Sequence, residues 1–171
     1  GHGGAKQTVN SIYQANKTHK FVFRTDVKSY YESIDHSMML NKLANYVKDK
    51  HLLNLLTQYL KRSVEVGGNF IDIPKGISSG CPLSPLIASF YLCDLDKAME
   101  HKEVYYRRYM DDIIVLAKSR MALKRAIRCV NQHFAVNKVT QHPDKTQIGR
   151  TCRGFDFLGY EFKNGVLTTS K

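Results

Sequence analysis

Val104-Tyr105-Tyr106-Arg107-Arg108-Tyr109-Met110-Asp111-Asp112-Ile113-Ile114-Val115-Leu116 sets two β-rich runs on either side of a short acidic turn. Val, Ile and Tyr suit a pleated, half-buried surface, and a tight polar break between two such runs predicts a hairpin. Upstream, Phe21-Val22-Phe23-Arg24-Thr25-Asp26 reads as a buried strand that also ends in a carboxylate. A carboxylate in that position costs free energy unless it is exposed or bound to a cation, and three together repel one another. Divalent cations remove the repulsion. Hard oxygen ligands suit Mg²⁺, which keeps waters and takes further ligands from substrate phosphates. Two such ions can serve an attacking hydroxyl and a leaving oxygen in an in-line displacement. A bland alternative exists for Asp111-Asp112, because acidic residues also end solvent-facing hairpins.

The remaining chain alternates helix and strand signals. Asp35 reads as an N-cap for a helix carrying Leu40, Leu43, Ala44 and Val47. Val64 and Val66, Gly67-Gly68, then Ile71 and Ile73 predict a second hairpin. The segment from Pro74 to Pro85 reads as a loop, and Pro85 to His101 as one largely buried helix. Leu123, Ala126, Ile127, Val130 and Phe134 fall at helical spacing, with basic residues on the other side. Phe155 to Leu167 reads as strand, Asn164-Gly165 turn, strand. Together these predict an α+β fold, an antiparallel sheet with helices packed on one face.

At 171 residues the chain suits one domain with a sizeable core. Apolar residues at 43% exclude general disorder, and no apolar run reaches the ~18 residues of a membrane span. Cys81, Cys93, Cys129 and Cys152 form no CxxC pair, which fits reduced thiols and a cytoplasmic location, with no leader at the start. The seven histidines lack metal-binding spacing, and no nucleophile elbow, P-loop or GxGxxG occurs. Lys and Arg number 26 against 15 Asp and Glu, a formal net charge of +11. No acid lies between Asp112 and Asp144. That asymmetry fits a polyanionic partner, and on charge alone it fits a merely solvated basic helix equally well.

Four ordered segments carry a family resemblance. Thr25-Asp26-Val27-Lys28-Ser29-Tyr30-Tyr31, Gly76 to Pro85, Tyr109-Met110-Asp111-Asp112 and Phe157-Leu158-Gly159-Tyr160 resemble the palm motifs of reverse transcriptases, in the bacterial group II intron and retron-like branch. The similarity runs from about residue 1 to residue 165. It implies an RNA-directed DNA polymerase with a palm fold and partial fingers. Residues 1–20 and about 64–80 would be fingers-like, the rest of 1–171 palm, and a thumb absent.

The resemblance also implies roles, position by position. Asp26 and Asp111 match the carboxylates that bridge two Mg²⁺ ions (Mn²⁺ as a substitute), with the Val27 carbonyl a further ligand and Asp112 a supporting acid. Lys145 matches a lysine proposed to protonate the leaving pyrophosphate. Tyr31 falls where a ring blocks a ribose 2′-hydroxyl, while Tyr30 packs inward. Ser79, Gly80 and Pro82 lie in the loop beneath the incoming nucleotide. Ser79 departs from the family, where glutamine is common. Tyr109, Met110, Phe157, Leu158 and Gly159 match primer contacts, and Arg107 or Arg108 would face the nucleic-acid backbone. Implied partners are an RNA template, a DNA primer, deoxynucleotides, and missing fingers or thumb segments or a protein partner, with no membrane. Two other readings stay open: an RNA-dependent RNA polymerase, which must admit the 2′-hydroxyl, and an incomplete palm that binds nucleic acid or assembles without catalysis.

Overall fold

The computed structural model describes residues 4–61, 63–163 and 166–169, with backbone alone at 63–66 and 70. Four strands make the central antiparallel sheet: β1 (Phe21–Asp26), β4 (Tyr105–Tyr109), β5 (Asp112–Ala117) and β6 (Gln147–Arg150), in the order β4-β5-β1-β6. A hairpin, β2 (Ser63–Val66) and β3 (Asn69–Asp72), stands apart, and β7 (Phe155–Phe157), β8 (Tyr160–Lys163) and β9 (Val166–Thr169) form a third sheet. The helices are α1 (Ala5–Asn16), α2 (Tyr30–Ser33), α3 (His36–Tyr46), α4 (Lys50–Leu60), α5 (Ser84–Tyr91), α6 (Cys93–Glu100) and α7 (Arg120–Val136). None of these is long and apolar enough to cross a membrane.

Period-2 alternation divides the central sheet into two faces. Phe23, Ile113, Val115 and Ala117 enter the larger core with residues of α3, α5, α6 and α7. Leucine, alanine, valine and phenylalanine at 3.6-residue spacing along α7 bury Leu123, Ala126, Val130 and Phe134 there, after Ser119 caps the helix through Ala122 N. Val22, Ile114 and Leu116 point the other way, into a smaller core with Val9 and Ile12 of α1 and Phe155, Phe157 and Phe162 of the third sheet. The helices expected on one face are there. The opposite face is covered too, which is why β5 is buried at five successive positions.

Two elements differ from the sequence expectation. The helix expected from Pro85 to His101 breaks at Leu92 into α5 and α6. The Ser89 carbonyl accepts from Arg108 Nη2 and the Tyr91 carbonyl from Lys42 Nζ, so side chains reach carbonyls that a continuous helix would pair with its own N–H groups. The tail contains a turn at Leu158-Gly159, both with positive φ (50° and 77°), which makes three strands of the expected two. Two successive left-handed residues are what a two-residue I′ hairpin requires. The Asn164-Gly165 turn falls outside the described residues.

Asp35 caps α3 as expected, accepting from Met38 N at 2.9 Å. The following loop is tied back to this region: Gly76 N donates to Ile34 O (2.7 Å), Ile77 N to Tyr31 O (2.9 Å), and His36 Nε2 meets Gly76 O at 2.7 Å. Gly76 has φ +96°, and a Cβ there would lie 3.3 Å from the Glu32 carbonyl oxygen. Gly76→Ala is therefore expected to destabilise the chain by about 1–3 kcal/mol, measured as a fall in the urea midpoint. An unchanged midpoint would show that the loop relaxes freely.

Candidate active site

The sheet register builds the site. Asp26, the last residue of β1, is the cross-strand partner of Asp112, the first of β5, and Val27 N extends the ladder to Asp111 O at 3.3 Å. Neighbouring strands lie about 4.8 Å apart, so three carboxylates gather at one end of the sheet. Asp26 is 4% exposed; Asp111 and Asp112 are half-buried. Cross-strand partners share a face. Asp26 and Asp112 thus lie on the face of Val22, Ile114 and Leu116, the side covered by β7 and β8.

The segment 140–146 runs beside β1 and supplies a counter-charge. Lys28 N donates to Thr140 O (2.9 Å), His142 N to Asp26 O (2.8 Å), and the hydroxyls of Thr25 and Thr146 meet at 2.9 Å. This places Lys145 Nζ 2.7 Å from Asp26 Oδ2. The lysine side chain is 50% exposed and its partner 6%, so the ammonium reaches in from solvent. Its pKa is raised, first by the hydrogen bond it donates to Asp26.

The acids are electrostatically loaded. Burial, then the neighbouring charges of Asp111 and Asp26, push Asp112 up to about 6. Burial and Asp26 raise Asp111 as well, with Lys145 opposing. A carboxyl whose pKa is raised by folding favours the folded state at low pH, and that contribution is lost as pH rises through the folded value. Asp112→Asn is accordingly expected to stabilise the cation-free protein at pH 7.5 by about 1–3 kcal/mol, solvent screening setting the low end. The gain should shrink as pH falls through about 6 and vanish below the unfolded pKa, near ~3.9. Thermal melts across this range check it, and a variant no more stable at pH 7.5 would contradict it.

Among the described residues, no three His, Cys, Asp or Glu side chains close into a ready-made metal cage. The donor set still fits Mg²⁺, which binds through one or two carboxylates and completes its shell with water and phosphate oxygens. Oxygen-only ligands and the mutual repulsion of the acids favour added positive charge, which would take the place at Asp26 now held by the Lys145 ammonium. Asp26, Asp111 and Asp112 are the residues that would hold it. The Val27 side chain is buried in the larger core, which leaves its backbone as the part facing this end of the sheet.

The other candidates are placed as follows. Ser29 (φ +48°) turns the chain into α2, whose Tyr30 is buried with its hydroxyl on Ala88 O (2.5 Å). Tyr31 is half-buried, packed edge to face with Tyr30 at 6.2 Å between ring centroids, so part of it remains accessible. Ser79, Gly80 and Pro82 are all exposed. Tyr109 is exposed and Met110 sits in the turn at φ +55°. Leu158 and Gly159 form the tip of the β7–β8 turn.

Two expectations need correction. Phe157 is fully buried in the smaller core, so alternation leaves no side chain there for a primer. Arg108 is likewise turned inward: Nε donates to Asp96 Oδ1 (2.9 Å), Nη1 to Met110 O (2.9 Å) and Nη2 to Ser89 O (2.8 Å), with Nη2 also paired to Asp96 Oδ2. Arg107 takes the other face, over the Tyr105 ring and bonded to Tyr106 O.

Sequence reasoning missed Arg24. It lies two residues before Asp26, hence on the same face, and pairs with Asp156 of β7 while lowering the pKa of Asp112. Period-2 alternation alone could have flagged it.

Comparisons with known proteins bear on the family and the fold. A family model described as reverse transcriptase (RNA-dependent DNA polymerase) matches residues 3–162. Protein YkfC of Escherichia coli is 23% identical over 176 residues, spanning 82% of this chain and 46% of that protein. The retron Ec73 reverse transcriptase of Escherichia coli is 27% identical over 128 residues, spanning 70% and 40%. The chain thus covers less than half of either relative. Among solved structures, telomerase from Candida albicans in complex with a telomeric RNA fragment superposes on 98% of this chain and 34% of its own, with a TM-score of 0.78 at 13% identity. Telomerase from Candida tropicalis lacking its C-terminal domain gives 0.74 at 12% identity, over 98% and 40%. At such identities the likeness is one of fold.

Proposed function

Because the chain belongs to the reverse transcriptase family, we propose that it is the palm of an RNA-directed DNA polymerase, with residues 1–20 and about 64–80 counted to its fingers. It would join deoxynucleotides to a primer 3′-hydroxyl opposite an RNA template. The observation that carries this reading is the gathering of Asp26, Asp111 and Asp112 at one end of the central sheet, with Asp26 and Asp112 on the face shared with the Leu158-Gly159 turn.

Each residue then has a task. Asp26, Asp111 and Asp112 would hold two Mg²⁺ ions, which when bound supply charge stabilisation to the attacking and leaving oxygens. The turn at Leu158-Gly159 offers backbone to the primer end beside those acids. Tyr31, fixed against Tyr30 and through its carbonyl to Ile77, would limit space at the ribose 2′ position. Lys145 would move from Asp26 Oδ2 to the departing phosphates, where a cation offsets developing negative charge. Its half-exposed side chain gives it that reach.

The test is extension of a labelled DNA primer on an RNA template with Mg²⁺. The expected result is stepwise growth with deoxynucleotides, at least tenfold slower growth with ribonucleotides, and none with EDTA. Failure to extend a primer–template that the protein demonstrably binds would overturn the assignment. Equal or faster use of ribonucleotides would transfer it to an RNA polymerase.

A further inference from the structure

A second charged site lies away from the acids. A cavity of about 610 Å³ opens between α7 and the edge strand β6. Arg120 and Lys124, one helical turn apart, border it from α7; Arg150 borders it from β6, and Arg153 from the short turn after it. All four are exposed, and among the described residues none has an ion pair. No acid occurs in 113–143 or 145–155 to neutralise them.

The floor is apolar. Phe21 and Ile127 are half-buried there, and Ile148 is 60% exposed. Phe21 pairs across the sheet with Arg150, and Phe23 with Ile148, so this is the opposite face from that of Asp26 and Asp112. Phe21 and Asp26 are also at opposite ends of β1, about 17 Å apart along the strand. The site is therefore separate from the candidate active site in both face and position.

We propose that this cavity binds single-stranded nucleic acid outside the primer–template duplex, its phosphates on Arg120, Lys124, Arg150 and Arg153 and one base on the Phe21–Ile148 floor. Four unpaired cations around an apolar floor match a nucleotide's two parts, an anionic backbone and a flat apolar ring. The volume lies in the range of small-ligand pockets and admits one nucleotide unit. The choice of nucleic acid over an acidic protein rests on the family reading. The cavity itself does not depend on catalysis.

The test uses fluorescein-labelled 12-residue oligouridylate and oligothymidylate without Mg²⁺ or nucleotides. In the quadruple variant Arg120→Ala/Lys124→Ala/Arg150→Ala/Arg153→Ala, anisotropy should report at least tenfold weaker binding. The slope of log K against log salt should flatten by about 2–3, at ~0.7 for each phosphate no longer neutralised. The changed side chains are exposed, so an unchanged melting curve confirms folding. Photocrosslinking of 4-thiouridine RNA to the wild type should mark peptides within 120–128 and 147–153. Tighter binding of either oligomer supports the proposal and says which strand occupies the cavity. Crosslinks confined to the acid end of the sheet, with affinity and slope unchanged in the variant, would overturn the proposal. So would poly-L-glutamate binding this surface more tightly than either oligomer. Because primer extension is not the readout, failure here leaves the polymerase assignment standing, and failure there leaves this site standing.

Discussion

Asp111→Asn should lower primer extension by about 10³-fold or more, the scale expected when a charge that stabilises the transition state is lost. The amide keeps the shape and one acceptor oxygen but removes the negative charge. Asp111 is half-buried in the turn beside Asp26 and Asp112, and burial together with Asp26 already raises its pKa. Neutralising it therefore relieves repulsion, and the variant should melt no lower than wild type at pH 7.5. Affinity for primer–template should stay within about twofold, since a phosphate-binding surface gains nothing from an extra carboxylate. Lost extension with binding and stability intact isolates a chemical role. Extension at the wild-type rate would refute the placement of Asp111 at the reacting phosphate.

Arg108→Met should have the largest effect on stability. The Arg108 side chain is 7% exposed and ties together α5 through Ser89 O, α6 through Asp96, and the acidic turn through Met110 O. Burial opposes its charge, and the hydrogen bonds and charge of Asp96 outweigh that penalty and raise its pKa. Asp96 Oδ1 also accepts from the Tyr106 hydroxyl at 2.7 Å. Removing the guanidinium leaves Asp96 short of its partner and two carbonyls without a donor, at a cost of about 3–5 kcal/mol. For a chain of this size that is a fall in Tm of roughly 6–20 °C. Arg108→Lys should recover only part, because an ammonium cannot span the same three acceptors. A loss below about 1 kcal/mol would place Arg108 among weak surface pairs.

Local patterning made much of the fold legible. The apolar run Phe21–Asp26, the hairpin around Met110-Asp111, the cap at Asp35 and the stripe on α7 are set by neighbours within a few residues. The break at Leu92 was hidden because its cause is remote: Arg108 and Lys42 compete for helix carbonyls. The turn at Leu158-Gly159 was hidden from local patterning because leucine rarely takes a left-handed conformation, and only the resemblance of 157–160 to a primer-gripping hairpin pointed to it. At the site, the three acids could be singled out by type and position. The register that joins them, the reach of Lys145 and the inward turn of Arg108 depend on partners far along the chain. Periodicity says which face a residue takes and nothing about who waits there.

The Arg24–Asp156 pair has a mechanical consequence. It bolts the strand leading into the Leu158-Gly159 tip onto the strand that ends in Asp26, with the shared core of Ile114 and Phe157 behind it. Tip and acids are thereby held to one another by an ion pair on the surface and a shared apolar core beneath it, which sets the gauge between them. Under the proposed function, a primer end seated there would advance by sliding past this fixed point, one step after each addition.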